Sequence, residues 1–136
     1  MALDFPSSPT DGQTYTANNI TWEYNSSTTT WDLQTAGAGM SYSTKTGAYT
    51  LAATDDQKLI ATDSQINVDQ NIFSPADAVT IYNNSALDIS ITQGSGVTLR
   101  LVGTATTGSR TLSQRGLATI VCVASNEFVI SGAGLS

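Results

Sequence analysis

Apolar and polar positions alternate with period two along most of this chain. The clearest run is 79–102, where Val79/Ile81, Leu87/Ile89/Ile91 and Val97/Leu99/Leu101 occupy alternate positions. Asn83-Asn84-Ser85 and Gln93-Gly94-Ser95-Gly96, both rich in turn formers, separate the three segments. The pattern predicts consecutive antiparallel strands, each with one face on a core and one in water. The same reading gives strands over 48–51, 58–62, 65–68, 78–82, 88–92, 97–102, 110–112, 118–124 and 128–131. Asp55-Asp56, Asp63-Ser64 and Ser125-Asn126 are among the turn signals between them. Strands spaced about 8 to 12 residues apart point to a sandwich or barrel. No stretch keeps a helical period for long, so the one helical element expected is a single turn within 71–77. The fold class predicted is all-β: a small N-terminal aromatic β-meander, then an antiparallel, jelly-roll-like β-sandwich.

The N-terminal part has its own pattern. Short strands are predicted over 13–16, 20–24 and 30–33, with both tryptophans, Trp22 and Trp31, and with Tyr15 and Tyr24. Alternation puts Ile20, Trp22 and Tyr24 on one face, where aromatic cross-strand pairs can hold a short meander together. Three strands of this size are marginal alone and call for a partner surface. Ahead of them, residues 1–12 read as an extended arm, because Pro6 and Pro9 fix φ and remove donors. The arm is either a frayed terminus or a segment that orders against a neighbouring chain, with Leu3 and Phe5 as apolar anchors. The small residues and glycines of 35–43 read as a linker. The domains expected are therefore an attachment segment over 1–34, a linker over 35–43 and a β-sandwich over 44–136.

One strand departs from alternation. Val121, Cys122 and Val123 are consecutive apolar residues, as in a strand covered on both faces. One face would meet the domain core, and Val121 and Val123 would then lie at a subunit interface. Cys122 is the single cysteine of the chain, so it reads as a small buried apolar residue rather than half of an intrachain disulfide.

Composition narrows the functions. The chain has 136 residues, 40% of them apolar and only 12% charged. Ser, Thr, Asn and Gly make its surface polar but weakly charged, as suits a module packed against copies of itself or a large assembly. Eleven acidic and five basic residues leave a net charge of −6. Lys45, Lys58, Arg100, Arg110 and Arg115 are scattered, so neither nucleic acid nor an anionic membrane is an expected partner. The opening residues lack the basic and apolar regions of a secretion leader. No apolar run approaches the roughly 20 residues of a membrane helix.

The chemistry expected is correspondingly thin. There is no histidine, which excludes Ser-His-Asp and Cys-His arrangements and histidine metal sites. Asp55-Asp56 are adjacent carboxylates, but in a turn context that favours Asp for backbone reasons. Asp63, Asn67, Asp69 and Asn71 carry oxygens at near-alternate positions without the calcium-loop pattern. No phosphate-binding glycine motif is present. No catalytic residue, cofactor or metal is expected. The aromatic cluster among Asn and Thr residues leaves a sugar-stacking platform open beside the structural reading.

Two stretches carry a family resemblance. The opening Leu3-Asp4-Phe5-Pro6-Ser7-Ser8-Pro9-Thr10-Asp11-Gly12-Gln13-Thr14-Tyr15, followed by Ile20-Thr21-Trp22-Glu23-Tyr24 and Thr30-Trp31, resembles the N-terminal segment of tailed-bacteriophage structural proteins, especially those of marine and cyanobacterial phages. The stretches Ala78-Val79-Thr80-Ile81-Tyr82-Asn83-Asn84-Ser85 and Gly94-Ser95-Gly96-Val97-Thr98-Leu99, with the ending Asn126-Glu127-Phe128-Val129-Ile130-Ser131-Gly132-Ala133-Gly134-Leu135, are similar to the β-domain that closes phage fibre and head-decoration proteins. The resemblance implies a non-enzymatic virion protein, commonly a homotrimer. Fibres of this type usually carry repeats between the two parts, and here only a short linker does. That departure favours a small capsid decoration, cement or head-fibre protein, made in the host cytoplasm and placed on the outer capsid surface. Its partners would be copies of itself and the major capsid protein or another virion protein. Leu3, Phe5, Pro6, Pro9, Tyr15, Trp22, Tyr24 and Trp31 would make the attachment. The alternative is a short tail fibre or adhesin that binds a host-surface glycan.

Overall fold

The structure, a computed structural model, describes residues 4–17, 20–34 and 40–136. The chain divides into two compact units, Met1–Gly39 and Met40–Ser136. The all-β class holds throughout. The first unit is an antiparallel meander of β1 (Thr14–Ala17), β2 (Ile20–Asn25) and β3 (Thr30–Gln34), in that order across the sheet.

The second unit holds nine strands: β4 (Ser41–Lys45), β5 (Tyr49–Thr50), β6 (Lys58–Thr62), β7 (Ile66–Val68), β8 (Ala78–Asn83), β9 (Ile89–Gln93), β10 (Thr98–Leu101), β11 (Arg110–Ala124) and β12 (Glu127–Leu135). They form one nearly closed sheet folded into two facing layers. Its order is β4-β6-β8-β11-β9-β7-β5, with β12 on the other edge of β11 and β10 beside β12. Consecutive strands mostly lie in opposite layers. β4, β6 and β8 stack in parallel in one layer, and β5, β7 and β9 stack in parallel in the other. β10 and β12 are also parallel. Antiparallel ladders between these strands all involve β11, with β8, β9 and β12, and a lone antiparallel bridge joins Arg100 to Thr107. The expectation of antiparallel neighbours is corrected here. Most of the turns are arches that carry the chain across the core, and the hairpin between consecutive strands is β11–β12.

Three further expectations change. Residues 41–43, assigned to the linker, pair with β6 as part of β4. Residues 35–39 of that linker lie outside the described residues. The segments 110–112 and 118–124 are one strand, β11, which runs through both layers. Among the described residues the helical turn is a 3-10 turn at Ala53–Asp55, not within 71–77. Asn71 and Ala76 have φ of 62° and 85°, which a right-handed turn cannot accommodate.

The core fills the space between the layers. Ile60, Ile81 and Ile120 enter from the first layer and Ile66, Ile91 and Leu112 from the second, with Leu99, Phe128 and Ile130 beside them. β11 changes layer between Leu112 and Leu117, where its register with β12 shifts. Gly132 makes this possible. A Cβ there would lie 2.1 Å from the Leu117 carbonyl oxygen and 2.5 Å from Ala118 Cα, both backbone atoms. Asn83 holds the bend from the other side. It is fully buried, and its Nδ2 donates to the carbonyls of Leu87 (2.8 Å), Leu112 (3.0 Å) and Ser113 (3.0 Å). Its Oδ1 accepts from the Ser85 backbone N–H (3.0 Å). One side chain thus ties the β8–β9 arch to the place where β11 turns.

A second buried polar group shapes the first arch. Asp55 Oδ2 accepts from the Ala52 N–H (2.9 Å) and the Tyr49 hydroxyl (2.8 Å), and Lys58 Nζ lies 3.4 Å from Oδ1. Lys45 Nζ sits 4.2 Å from the centre of the Tyr49 ring. Burial pushes the Asp55 carboxyl up, but the Ala52 N–H, the Tyr49 hydroxyl and Lys58 outweigh it and hold it below its ordinary value. Among the described residues no helix is long and apolar enough to cross a membrane.

Asn83→Ala removes the Nδ2 donor from the carbonyls of Leu112 and Ser113, while that of Leu87 keeps the Ser85 hydroxyl, at a cost of about 1–3 kcal/mol for each buried group left unpaired. Urea denaturation followed by far-UV circular dichroism should show a clear loss of stability. Asn84→Ala, at an exposed neighbour, should shift it far less. The lowered Asp55 value gives a pH dependence of definite sign. Its stabilisation is complete above the unfolded carboxylate value, near 3.8, and is lost as pH falls through the lower folded value. The urea midpoint of the wild type should therefore fall on acidification through that range, with a shallower fall in Asp55→Asn.

Candidate functional site

The meander has two unlike faces, fixed by its register. Tyr15 pairs with Trp22 and Trp22 with Leu33, Tyr24 pairs with Trp31, and Ala17 pairs with Ile20. All these side chains fall on one face by alternation. Thr14, Glu23 and Asp32 face each other on the opposite side.

The proline arm lies on the aromatic face. The Phe5 ring is 5.0 Å from Tyr15, 5.4 Å edge-on from Trp22 and 5.0 Å from Trp31, nearly parallel to the last. Tyr24 and Trp31 stand 5.5 Å apart. Such pairs contribute about 0.5–1.5 kcal/mol each beyond area burial. The arm is tied down behind Phe5. The Gly12 N–H donates to the Tyr24 carbonyl (2.9 Å), and the Tyr24 N–H donates to the Gln13 carbonyl (2.8 Å). Asp11 Oδ1 accepts from the Ser26 N–H (2.8 Å). Ser26, first through that backbone N–H, holds the Asp11 carboxyl below its ordinary value.

The structure therefore brings Phe5, Tyr15, Trp22, Tyr24 and Trp31 together. Pro6 and Pro9 are half-buried on the arm, and Leu3 lies outside the described residues. Phe5 is engaged within its own unit. Of the two readings of the arm, this segment is ordered, and against its own meander. No described side chain of this unit reaches full burial. On the aromatic face Ile20 and Leu33 remain 44% and 55% exposed. These two are the residues that the aromatic signal hid: alternation already placed Ile20 on that face, but exposure was not legible.

The opposite face carries a shallow depression of about 310 Å³, lined by Asp11, Glu23, Tyr24, Asn25, Ser27, Asp32 and Gln34. Asp32 is held by Asn25 Nδ2 (3.3 Å) and by the Thr30 hydroxyl (2.9 Å). Among the described residues no group of three or more carboxylates or thiols stands close enough to hold a metal ion. Asp55-Asp56 do not act as a pair. Asp55 is buried in the network above, and Asp56 Oδ1 accepts from the Ala78 N–H (2.9 Å).

In the second unit, Val121 is half-buried and Val123 is 47% exposed, both outward, while Cys122 is buried inward. Burial pushes the Cys122 thiol up, as fits a packing residue. No protein-family model matches this chain, and no curated protein matches it either.

Both tryptophans lie in the first unit, so their emission reports on it alone. Phe5→Ala removes three ring contacts and should shift that emission to the red and lower its thermal midpoint. The far-UV transition of the second unit should stay in place.

Proposed function

We propose that this chain is a non-enzymatic structural protein of a tailed-phage particle, a capsid decoration or cement protein attached through its N-terminal unit. One observation carries the reading. The aromatic meander has a half-buried core, two edge strands that pair with no further strand among the described residues, and exposed apolar side chains beside its rings. A three-stranded unit of this kind gains most when a partner surface completes its burial. The second unit supports the reading by contrast, since it has a complete core of its own. On this reading Ile20, Leu33 and Trp22 meet the capsid protein and the Phe5 arm pre-shapes their face. Area buried at each site, at roughly 25 cal/mol per Å² of apolar surface, is repeated over the shell. The ordering cost of association reduces that yield at each site, and the docked arm lowers it.

A second reading, a short tail fibre that binds a host glycan, is favoured by the polar depression. Glu23, Asn25, Asp32 and Gln34 there supply carboxylate and amide groups of the kind that bind sugar hydroxyls.

The test uses purified chain added to particles that lack it, followed by imaging. Leu33→Glu places a charge on the aromatic face beside Trp22, its cross-strand neighbour, and leaves the Phe5 contacts with Tyr15 and Trp31 in place. Lost particle binding, with far-UV circular dichroism and the thermal midpoint unchanged, is the result expected, and the wild-type density should be distributed over the shell. Density at the tail, with Leu33→Glu still bound and Asn25→Ala defective in cell adhesion, would instead establish the fibre reading. Absence of any particle binding by the wild type would sink both.

A further inference from the structure

Charge is divided unequally between the two units. The first, Met1–Gly39, holds Asp4, Asp11, Glu23 and Asp32 with no lysine or arginine, a net charge of −4. The second holds the remaining seven of the eleven acids against all five cations, a net charge of −2 over a much longer chain. Those five cations are engaged within the second unit. Lys58 pairs with the buried Asp55, and Arg100 with Glu127. Lys45 lies over the Tyr49 ring, and Arg110 is buried with its Nη2 on the Thr106 carbonyl. Arg115 Nη1 donates to Asn84 Oδ1 at 2.7 Å.

Inside the meander, register sharpens the imbalance. Glu23 stands directly opposite Asp32 across β2 and β3. Like charges opposed in this way weaken a strand pair. Asp11 is held by the Ser26 N–H, and Asp32 by the Asn25 amide and the Thr30 hydroxyl. These donors are neutral, so they leave the charge in place. Asp4 is exposed beside Phe5 on the arm.

We propose that the protein surface receiving the meander is basic: an apolar patch that meets Ile20, Leu33 and Trp22, ringed by lysine or arginine side chains. The inference rests on attachment through the first unit and adds the chemistry of its partner. Charge complementarity selects the occupant. A single sheet is thin, so Glu23 and Asp32 lie about 10 Å from whatever meets the aromatic face, close to the Debye length at ~0.1 M salt. Their field reaches the docking partner, favours cations on it and steers its approach. A neutral or acidic surface would leave the repulsion between Glu23 and Asp32 unrelieved. Nucleic acid or an anionic membrane would add to it.

The rate at which purified full chain binds particles lacking it, measured against salt, tests the proposal. Raising NaCl from about 0.05 M to about 0.5 M should slow wild-type association roughly tenfold or more. Glu23→Gln/Asp32→Asn removes both opposed charges at nearly constant shape. It should keep the tryptophan emission, keep or raise the thermal midpoint of the first unit, slow association severalfold at low salt and flatten the salt dependence. Asp69→Asn, which removes an exposed charge from the second unit, should behave as the wild type. Binding that Leu33→Glu abolishes, but that is indifferent to salt or quickened by Glu23→Gln/Asp32→Asn, overturns the basic partner and leaves the attachment standing. Binding that a chelator abolishes and magnesium restores overturns it as well, because a bridging cation would then link two acidic surfaces. A wild type that binds no particle, or binding that survives Leu33→Glu, overturns the attachment and this inference together.

Discussion

β11 has to lie in two layers at once, and the second unit is built around that requirement. Its first residues pair with β9 and its later ones with β8, so a single strand links the two stacks of parallel strands. The bend between them brings backbone closer than a side chain allows, which is why glycine occupies position 132. It also strands carbonyls away from water, and Asn83 supplies their donors. A strand crossing between layers at a bulge is a known way to turn a sandwich corner. Here it also closes one end of the parallel stacks, while β4, β5 and β10 are edge strands.

The two units are stabilised by different means. The second has a continuous core of fully buried Ile, Leu, Val and Phe side chains, with its few buried polar groups paired. Arg110 is the exception, since its Nε has no partner although its Nη2 donates to the Thr106 carbonyl at 2.8 Å. The first unit has no such core. It relies on ring contacts around Phe5 and on the hydrogen bonds of its turns. A small sheet with a half-buried aromatic face is poised for association, and a cored sandwich is suited to being a rigid body.

Much of this was legible in the chain. Period-two alternation placed nearly every strand, because a half-buried strand must show it. The aromatic meander was legible from Tyr15, Trp22, Tyr24 and Trp31. Partner strands were not. An arch and a hairpin share alternation and turn residues, and differ in whether the next strand pairs with the last or crosses the core. Ser41 beside Lys58 and Tyr49 beside Ile66 repeat at one offset without repeating any residue type, so composition carries no trace of the stacking. β4 escaped notice for a related reason. Ser41-Tyr42-Ser43 is an edge with little apolar character, and its strand state comes from β6. Asn83 read as a turn former, and its burial follows from the distant Leu112 and Ser113.

The alternation of layers has a consequence for synthesis. In the second unit nearly every ladder joins segments distant in the chain, and β8 and β9 must both wait for β11. The parallel stacks can begin to form early, but the strand that stitches them is made after both of them. During translation the apolar edges of β8 and β9 are therefore exposed until residues 110–135 have left the ribosome. Folding is then dominated by long-range closure, which is slow and open to mispairing between nascent chains. For such a chain, the polar, weakly charged turns flanking each strand matter before the native state exists, because they keep the waiting edges in solution.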